Sequence, residues 1–312
     1  MRKKWLKVIL PILIGIGILA SIMTWLIVTS RVRILPPKKI LITITDDLGR
    51  EVIIEEVPQR IISLSPSNTE ILFALGLGDK VVGVTDVCNY PLEAKEKEKI
   101  GGYSNPSLEK IIDLKPDLIL AVFGNPGKLI NQLQNLKLTV VGLNPKTIED
   151  VFGSIELVGK ITDEEEKASE LVKNLRERMG RVTFMTKNLT SEQKPGVLYV
   201  VWYKPLWTAG SGTFIDELIQ KAGGVNVAGD VPGWPKISLE LVIKKNPQII
   251  IVGEGHPGGL IETVRAESTL SETDAFKNNK IFTINADIVS RTGPRIIDAL
   301  KEMAKIIHPG LF

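Results

Sequence analysis

The chain has 312 residues, 44% hydrophobic and 24% charged, a length that accommodates two domains and a composition that excludes a largely disordered protein. The formal net charge of +3 misleads, because residues 1–39 carry eight basic side chains and no acid, which leaves 31 basic against 36 acidic residues in 40–312. A body with a net charge of −5 excludes a surface built on bulk positive charge, and with it a nucleic-acid partner.

Cys88 is the sole cysteine and cannot form an internal disulfide or build a zinc or iron–sulfur site. The two histidines, His256 and His308, are far apart in sequence, so a metal site made mainly of imidazoles is not expected.

In chain order, Val8 to Val28 is a run of 21 residues without charge, with Trp5 and Trp25 near its two ends. At about 1.5 Å per residue it spans a hydrocarbon core of about 30 Å. The alternative is a cleaved signal peptide, but the run is longer than a usual signal core and Thr29-Ser30-Arg31 offers no small-residue cleavage site. No cysteine near its end could take a lipid. An uncleaved anchor is therefore expected, followed by a stiff spacer from Arg31 to Lys39 that contains Pro36-Pro37.

The body shows an internal duplication. SLEKIIDLKPDLILA at 107–121 and SLELVIKKNPQIIIV at 238–252 align without gaps, each reading as a serine N-cap, a short helix, a proline stop and a buried strand. Strands apolar on both faces belong in a parallel sheet flanked by helices. In the first half, RIISL (60–64), KVVGV (80–84), DLILAV (117–122) and LTVVGL (138–143) read as strands. Helical patterns at Thr69–Leu75, Leu108–Leu114, Leu129–Leu136 and Ile148–Gly159 separate them. A charged helix without proline follows from Thr162 to about Lys187, with Ala168, Leu171, Val172, Leu175 and Met179 along one face. The second half begins with VLYVVW at 197–202 and continues through a helix at Phe214–Ala222, the repeat copy and IFTINA (281–286). It ends on a helix from Pro294 to Ile307.

The expected architecture is α/β: two Rossmann-like lobes bridged by one long α-helix, behind an N-terminal transmembrane helix. The division is anchor and spacer 1–39, N-terminal lobe 40–160, connecting helix 161–190 and C-terminal lobe 191–312. Ligands of open α/β sheets settle at the carboxyl ends of the strands, here in the cleft between the lobes. No G-x-G-x-x-G, P-loop or G-x-S-x-G motif occurs. The adjacent carboxylates Asp46-Asp47 and Glu164–Glu166 read as solvated rather than as an acid/base pair. Asn188-Leu189-Thr190 is a glycosylation sequon, which suits an external surface.

DDLGREVIIEEVPQRIISLSPSNTEILFALGLGDKVVGVTDVCNYP resembles the start of substrate-binding proteins of ABC importers for cobalamin and ferric siderophores. The resemblance continues through GGYSNPSLEKIIDLKPDLILA, GWPKISLELVIKKNPQIIIV and SRTGPRII, over roughly residues 44–308. It implies two lobes on one helix, delivery of ligand to a permease with its ATPase, and no catalysis or bound cofactor. It also implies that Glu109 and Glu240 dock onto permease arginines, although a glutamate just after a serine N-cap equally opposes the helix dipole.

By the same resemblance Tyr103, Trp207 and Trp234 line the ligand cleft, Asp287 and Arg291 meet the ligand's polar edge, and Ser67 and Val87 are further lining positions. The alternatives are that Trp207 and Trp234 are core residues, or that Trp202 or Tyr203 faces the cleft in place of Trp207. Broad aromatic walls with a few polar groups suit a corrin, an apolar disc fringed by amides. Val87 departs from the cobalamin pattern, where an aromatic is expected. The implied function is an anchored extracytoplasmic receptor for cobalamin or another corrinoid. Its rival is the same role with a ferric siderophore or haem. A membrane-anchored ligand sensor is a third reading, although the seven residues before Val8 are too few for an output domain.

Overall fold

Residues 38–255 and 259–312 are described by the computed structural model. The anchor expected over Val8–Val28 lies outside the described residues, and among those described no helix is long and apolar enough to cross a membrane. Residues 39–312 form one compact unit.

This unit opens with an antiparallel hairpin, β1 (Lys39–Thr45) and β2 (Glu51–Glu56). The N-terminal lobe follows as β3 (Ile61–Ser63), α1 (Pro66–Ala74), β4 (Val81–Val84), the short β5 (Gly101–Gly102) and β6 (Asn105–Pro106), and α2 (Leu108–Asp113). Then come β7 (Leu118–Val122), α3 (Gly127–Asn135), β8 (Val140–Leu143) and α4 (Ile148–Thr162). The bridging helix is α5 (Glu165–Thr186). The C-terminal lobe contains β9 (Gly196–Trp202), β10 (Trp207–Thr208), α6 (Phe214–Lys221), β11 (Val225–Asn226) and α7 (Leu239–Lys245). It continues through β12 (Ile249–Glu254), α8 (Leu260–Arg265), α9 (Asp274–Lys277), β13 (Ile281–Asn285), α10 (Ala286–Ser290) and α11 (Ile296–Ile307).

The duplication is visible in the sheets. The N-terminal sheet runs β4-β3-β7-β8, all parallel. In the C-terminal lobe β11, β9, β12 and β13 repeat that parallel order, with β10 added antiparallel beside β9. The repeated segments become α2–β7 and α7–β12, and both strands are central. Ser107 Oγ accepts from Lys110 N at 3.3 Å and Ser238 Oγ from Leu241 N at 3.3 Å, so both serines cap as their sequence implies.

The bridging helix starts later than its pattern suggests. Asp163, in the left-handed conformation at φ 62°, ends α4 and separates it from α5. The remaining 22 residues span about 33 Å. Ala168, Val172, Leu175 and Val182 of α5 belong to one apolar cluster that also holds Ile155, Val158 and Ile161 of α4 and Leu300, Met303 and Ile307 of α11. A single continuous core therefore runs through both lobes. Arg176 pairs with Glu149 of the first lobe and Arg178 with Asp298 of the second.

One carboxylate departs from its expected place. Asp46, read from sequence as solvated, is only 3% exposed. Its Oδ1 accepts from Leu48 N at 3.0 Å and Arg50 N at 2.9 Å, and its Oδ2 from Arg50 Nε at 3.0 Å and Gly142 N at 2.9 Å. Asp47 Oδ2 accepts from Asn144 N at 2.7 Å. The DDLGR turn thus holds the carboxyl end of β8, and a Cβ at Gly142 would meet Leu48 Cδ1 at 2.4 Å. The contact depends on that glycine. Burial alone would raise the pKa of Asp46, but hydrogen bonds from the Arg50 side chain and backbone and from Gly142, with the Arg50 charge, outweigh it and hold the carboxyl below the usual carboxylate range.

A carboxyl depressed in the folded state stabilises above its unfolded pKa, about 3.9, and that contribution is lost as pH falls through the folded value. Asp46→Asn should therefore cost about 1.5–3 kcal/mol at neutral pH and flatten the loss of stability below about pH 4. Urea unfolding across a pH series measures both; an unchanged acid limb contradicts the assignment.

Candidate functional site

The carboxyl ends of β3, β4, β7 and β8 emerge along one edge, and a cavity of about 640 Å³ opens there. Ser65, Pro66 and Ser67 follow β3, Val87 follows β4, Val122 and Phe123 close β7, and Leu143, Asn144 and Pro145 close β8. Ser290, Arg291 and Thr292 reach it from the C-terminal lobe, so the cavity is interlobe. Of the residues expected to line the cleft, Ser67, Val87, Tyr103 and Arg291 come together here.

Tyr103 sits on the β5–β6 turn, and its hydroxyl donates to the Phe123 carbonyl at 3.2 Å. Burial raises its pKa, so the phenol keeps its proton. Ser67 Oγ is 3.0 Å from Ser65 Oγ, the cap of α1. Asn125 fixes the wall from behind: its Oδ1 accepts from Val122 N at 2.8 Å, and its Nδ2 donates to Leu64 O at 3.1 Å and Tyr103 O at 3.3 Å. Phe123 is 71% exposed, a large apolar ring presented to the opening.

Behind Arg291, an ion network joins the lobes. Glu70 of α1, 3% exposed, receives Arg295 through Nε at 2.9 Å and Nη2 at 2.6 Å, and Arg291 Nη1 at 3.3 Å. Arg291 also reaches Asn89 Oδ1 at 2.6 Å and Asp287 Oδ1 at 2.8 Å. Asn89 Nδ2 donates to Asp287 Oδ2 at 3.1 Å, and the Arg295 guanidinium lies 3.9 Å from the centre of the Tyr90 ring. Asp287 and Arg291, expected at a ligand edge, are here joined to each other and to the opposite lobe.

Trp207 and Trp234 do not line this cavity. Trp207 pairs with Trp202 across β9–β10 and bridges to Lys236, two residues after Trp234. All three tryptophans are partly exposed, at 39% for Trp207, 47% for Trp202 and 49% for Trp234, so none is a core residue. Tyr203 faces the other way: 6% exposed, it joins the C-terminal core and donates to Glu267 at 2.7 Å, which removes it as a cleft residue. Glu109 and Glu240 are exposed on the first turns of α2 and α7. The backbone N–H and the Ser238 side chain hold the Glu240 carboxyl below its ordinary pKa.

Sequence reasoning missed Phe123, Asn144, Asn125, Asn89, Glu70 and Arg295. Phe123 and Asn144 directly follow two expected strands, a signal that was there to use. Asn89, Glu70 and Arg295 act across long sequence separations that leave no local trace, and Asn125 joins a local bond to Val122 with distant ones to Leu64 and Tyr103. Among the described residues no three His, Cys, Asp or Glu side chains gather as a metal site. A larger groove of about 840 Å³ lies along α5 and α11, lined by Phe184, Met185, Ile297, Leu311 and Phe312. It is remote in the fold from the strand ends that make ligand sites in such sheets.

Residues 61–288 match the family model described as periplasmic binding protein. An uncharacterized ABC transporter substrate-binding lipoprotein of Bacillus subtilis, YvrC, is 36% identical over 87% of each chain. The crystal structure of a possible iron-binding, periplasmic solute-binding protein of Staphylococcus epidermidis is 35% identical, with a TM-score of 0.72 over 81% of this chain and 100% of that one. The periplasmic vitamin B12 binding protein of Vibrio cholerae is 30% identical, with a TM-score of 0.71 over 81% of this chain and 98% of that one. The two lobes, the bridging helix and these matches agree: the chain belongs to the periplasmic binding protein family.

Proposed function

We propose that the interlobe cleft captures cobalamin or a related corrinoid, and that Glu109 and Glu240 then dock the loaded protein on its permease. As a member of its family the chain is the substrate-binding component of an ABC importer, working with a permease and its ATPase. It binds and releases its ligand without chemical change.

The observation that carries the ligand reading is the lining of the cleft. Its walls are Val87, Tyr103, Val122, Phe123 and Leu143, its fringe is Ser65, Ser67, Asn144, Ser290 and Thr292, and among the described residues Arg291 is the one charged lining residue. Arg291 is already neutralised by Glu70 and Asp287. An uncharged disc edged with amides matches apolar walls, neutral hydrogen-bonding groups and a compensated cation. A polyanionic ferric chelate would leave its charges unmatched. Tyr103, its proton donated to Phe123, is a wall rather than a phenolate ligand for haem iron. Trp207 and Trp234, exposed beside the cleft, extend the apolar surface on the second lobe, and Asp287, its carboxylate 38% exposed next to Arg291, serves the ligand's amides. The similarity to the Vibrio cholerae vitamin B12 binding protein supports the same reading.

The apolar run Val8–Val28 supports a single-pass anchor with the binding lobes extracytoplasmic. The Bacillus relative is named a lipoprotein, whereas the one cysteine here, Cys88, is buried between Thr69 and Thr85.

Calorimetry on the full-length chain should show binding of cyanocobalamin and cobinamide in preference to haem and a ferric hydroxamate. Tyr103→Ala, Phe123→Ala, Trp207→Ala and Trp234→Ala should each weaken corrinoid binding by ~1–3 kcal/mol, the value of a large buried apolar contact. Tight binding of the ferric hydroxamate without any corrinoid would transfer the function to siderophore uptake. Charge reversal at Glu109 and Glu240 together should abolish uptake and permease association while ligand affinity stays within about twofold, since exposed rim charges act on partner encounter. Normal transport by that double variant would remove the docking role.

A further inference from the structure

We propose that Glu70 is a specificity-determining positioning residue that sets the charge class of ligand the cleft accepts. The proposal rests on the cleft reading above and concerns why the site prefers an uncharged ligand.

Two carboxylates, Glu70 and Asp287, and two guanidiniums, Arg291 and Arg295, form one connected network beside the cleft, with Glu70 and Arg295 lining a separate opening of about 420 Å³ next to Tyr90. Only Arg291 lines the cavity. Its guanidinium lies between Glu70 at 3.3 Å and Asp287 at 2.8 Å, and its side chain is 10% exposed. Glu70 is the deeper partner, with its side chain 2% exposed. It divides its charge between Arg291 and Arg295, and the Arg295 fork takes both carboxylate oxygens at 2.9 and 2.6 Å. The charge that Arg291 offers to a ligand therefore depends on a residue the ligand does not touch. Weakening Glu70 strengthens the cation, and weakening Arg295 leaves Glu70 wholly to Arg291 and cancels it. The Arg291 and Glu70 side chains are 10% and 2% exposed, where salt screens little, so the change reaches the ligand.

The balance gives opposite signs for two substitutions, which a merely structural role does not. The readout is the ratio of affinities of the full-length chain for cyanocobalamin and for its monocarboxylic acid, in which one peripheral amide is hydrolysed. The two ligands share a shape and differ by one charge. Glu70→Gln should shift the ratio toward the acid by about fivefold or more, and Arg295→Gln should shift it toward the neutral ligand by a similar factor. The double variant E70Q/R295Q, balanced again, should return to within about twofold of the wild-type ratio. Should Glu70→Gln fail to fold, Arg295→Gln and the double variant still fix the sign. Shifts in the same direction, or a ratio unchanged throughout, overturn the proposal. A wild-type protein that binds haem and no corrinoid overturns the ligand reading alone, and the charge balance is then read with haem and its dimethyl ester.

Discussion

A carboxylate buried between two lobes needs a counter-charge, and Glu70 has two. It belongs to the helix that follows the first strand of the N-terminal sheet, while both its guanidinium partners come from the last segment of the C-terminal lobe. Removing Glu70 leaves two largely buried guanidiniums without their shared counter-charge, which is costly. The pairing also fixes a distance. With Arg295 gripping both oxygens and lying over Tyr90, the network beside the cleft has one arrangement, and it sets the place of Arg291 in the cavity wall.

The second constraint acts from below. One apolar cluster passes from the first lobe through α5 into α11, so the lobes share a core instead of meeting across a hinge. Arg176 to Glu149 and Arg178 to Asp298 add ties from the same helix to each lobe. Wide opening would break packing that behaves like a single interior. Ligand entry in such a molecule is an affair of the rim: the β5–β6 turn with Tyr103, the Val87 loop and the tryptophan edge of the C-terminal lobe.

How much of this was legible in the sequence follows from what is local. Strands such as DLILAV and LTVVGL announce themselves by continuous apolar runs, and the serine caps and the gapless repeat place α2–β7 and α7–β12 correctly. Asp46 did not announce itself, because its burial depends on Gly142, 96 residues away, approaching closely enough to donate. Glu70 likewise looks like one more polar residue of PSNTEILFA until residues 221 and 225 positions later arrive beside it. Asp163 broke the bridging pattern by adopting a left-handed conformation, which aspartate tolerates but does not require. Resemblance named Asp287 and Arg291, yet their mutual pairing and their tie to Asn89 and Glu70 exist only in three dimensions.

Duplication explains the outside of the molecule better than the inside. The repeated segments give each lobe the same central strand and the same short helix with an exposed glutamate on its first turn, a symmetric pair of charges suited to a symmetric partner. At the strand ends the copies have diverged. The N-terminal lobe contributes apolar walls and neutral hydrogen-bonding groups, whereas the C-terminal lobe contributes both guanidiniums, Asp287 and the three exposed tryptophans. The two lobes therefore present unlike faces at their strand ends, while the glutamates outside are alike. The repeat accounts for the matched exterior, and the buried Glu70 of one lobe, held by Arg291 and Arg295 of the other, is where the two unlike faces are joined.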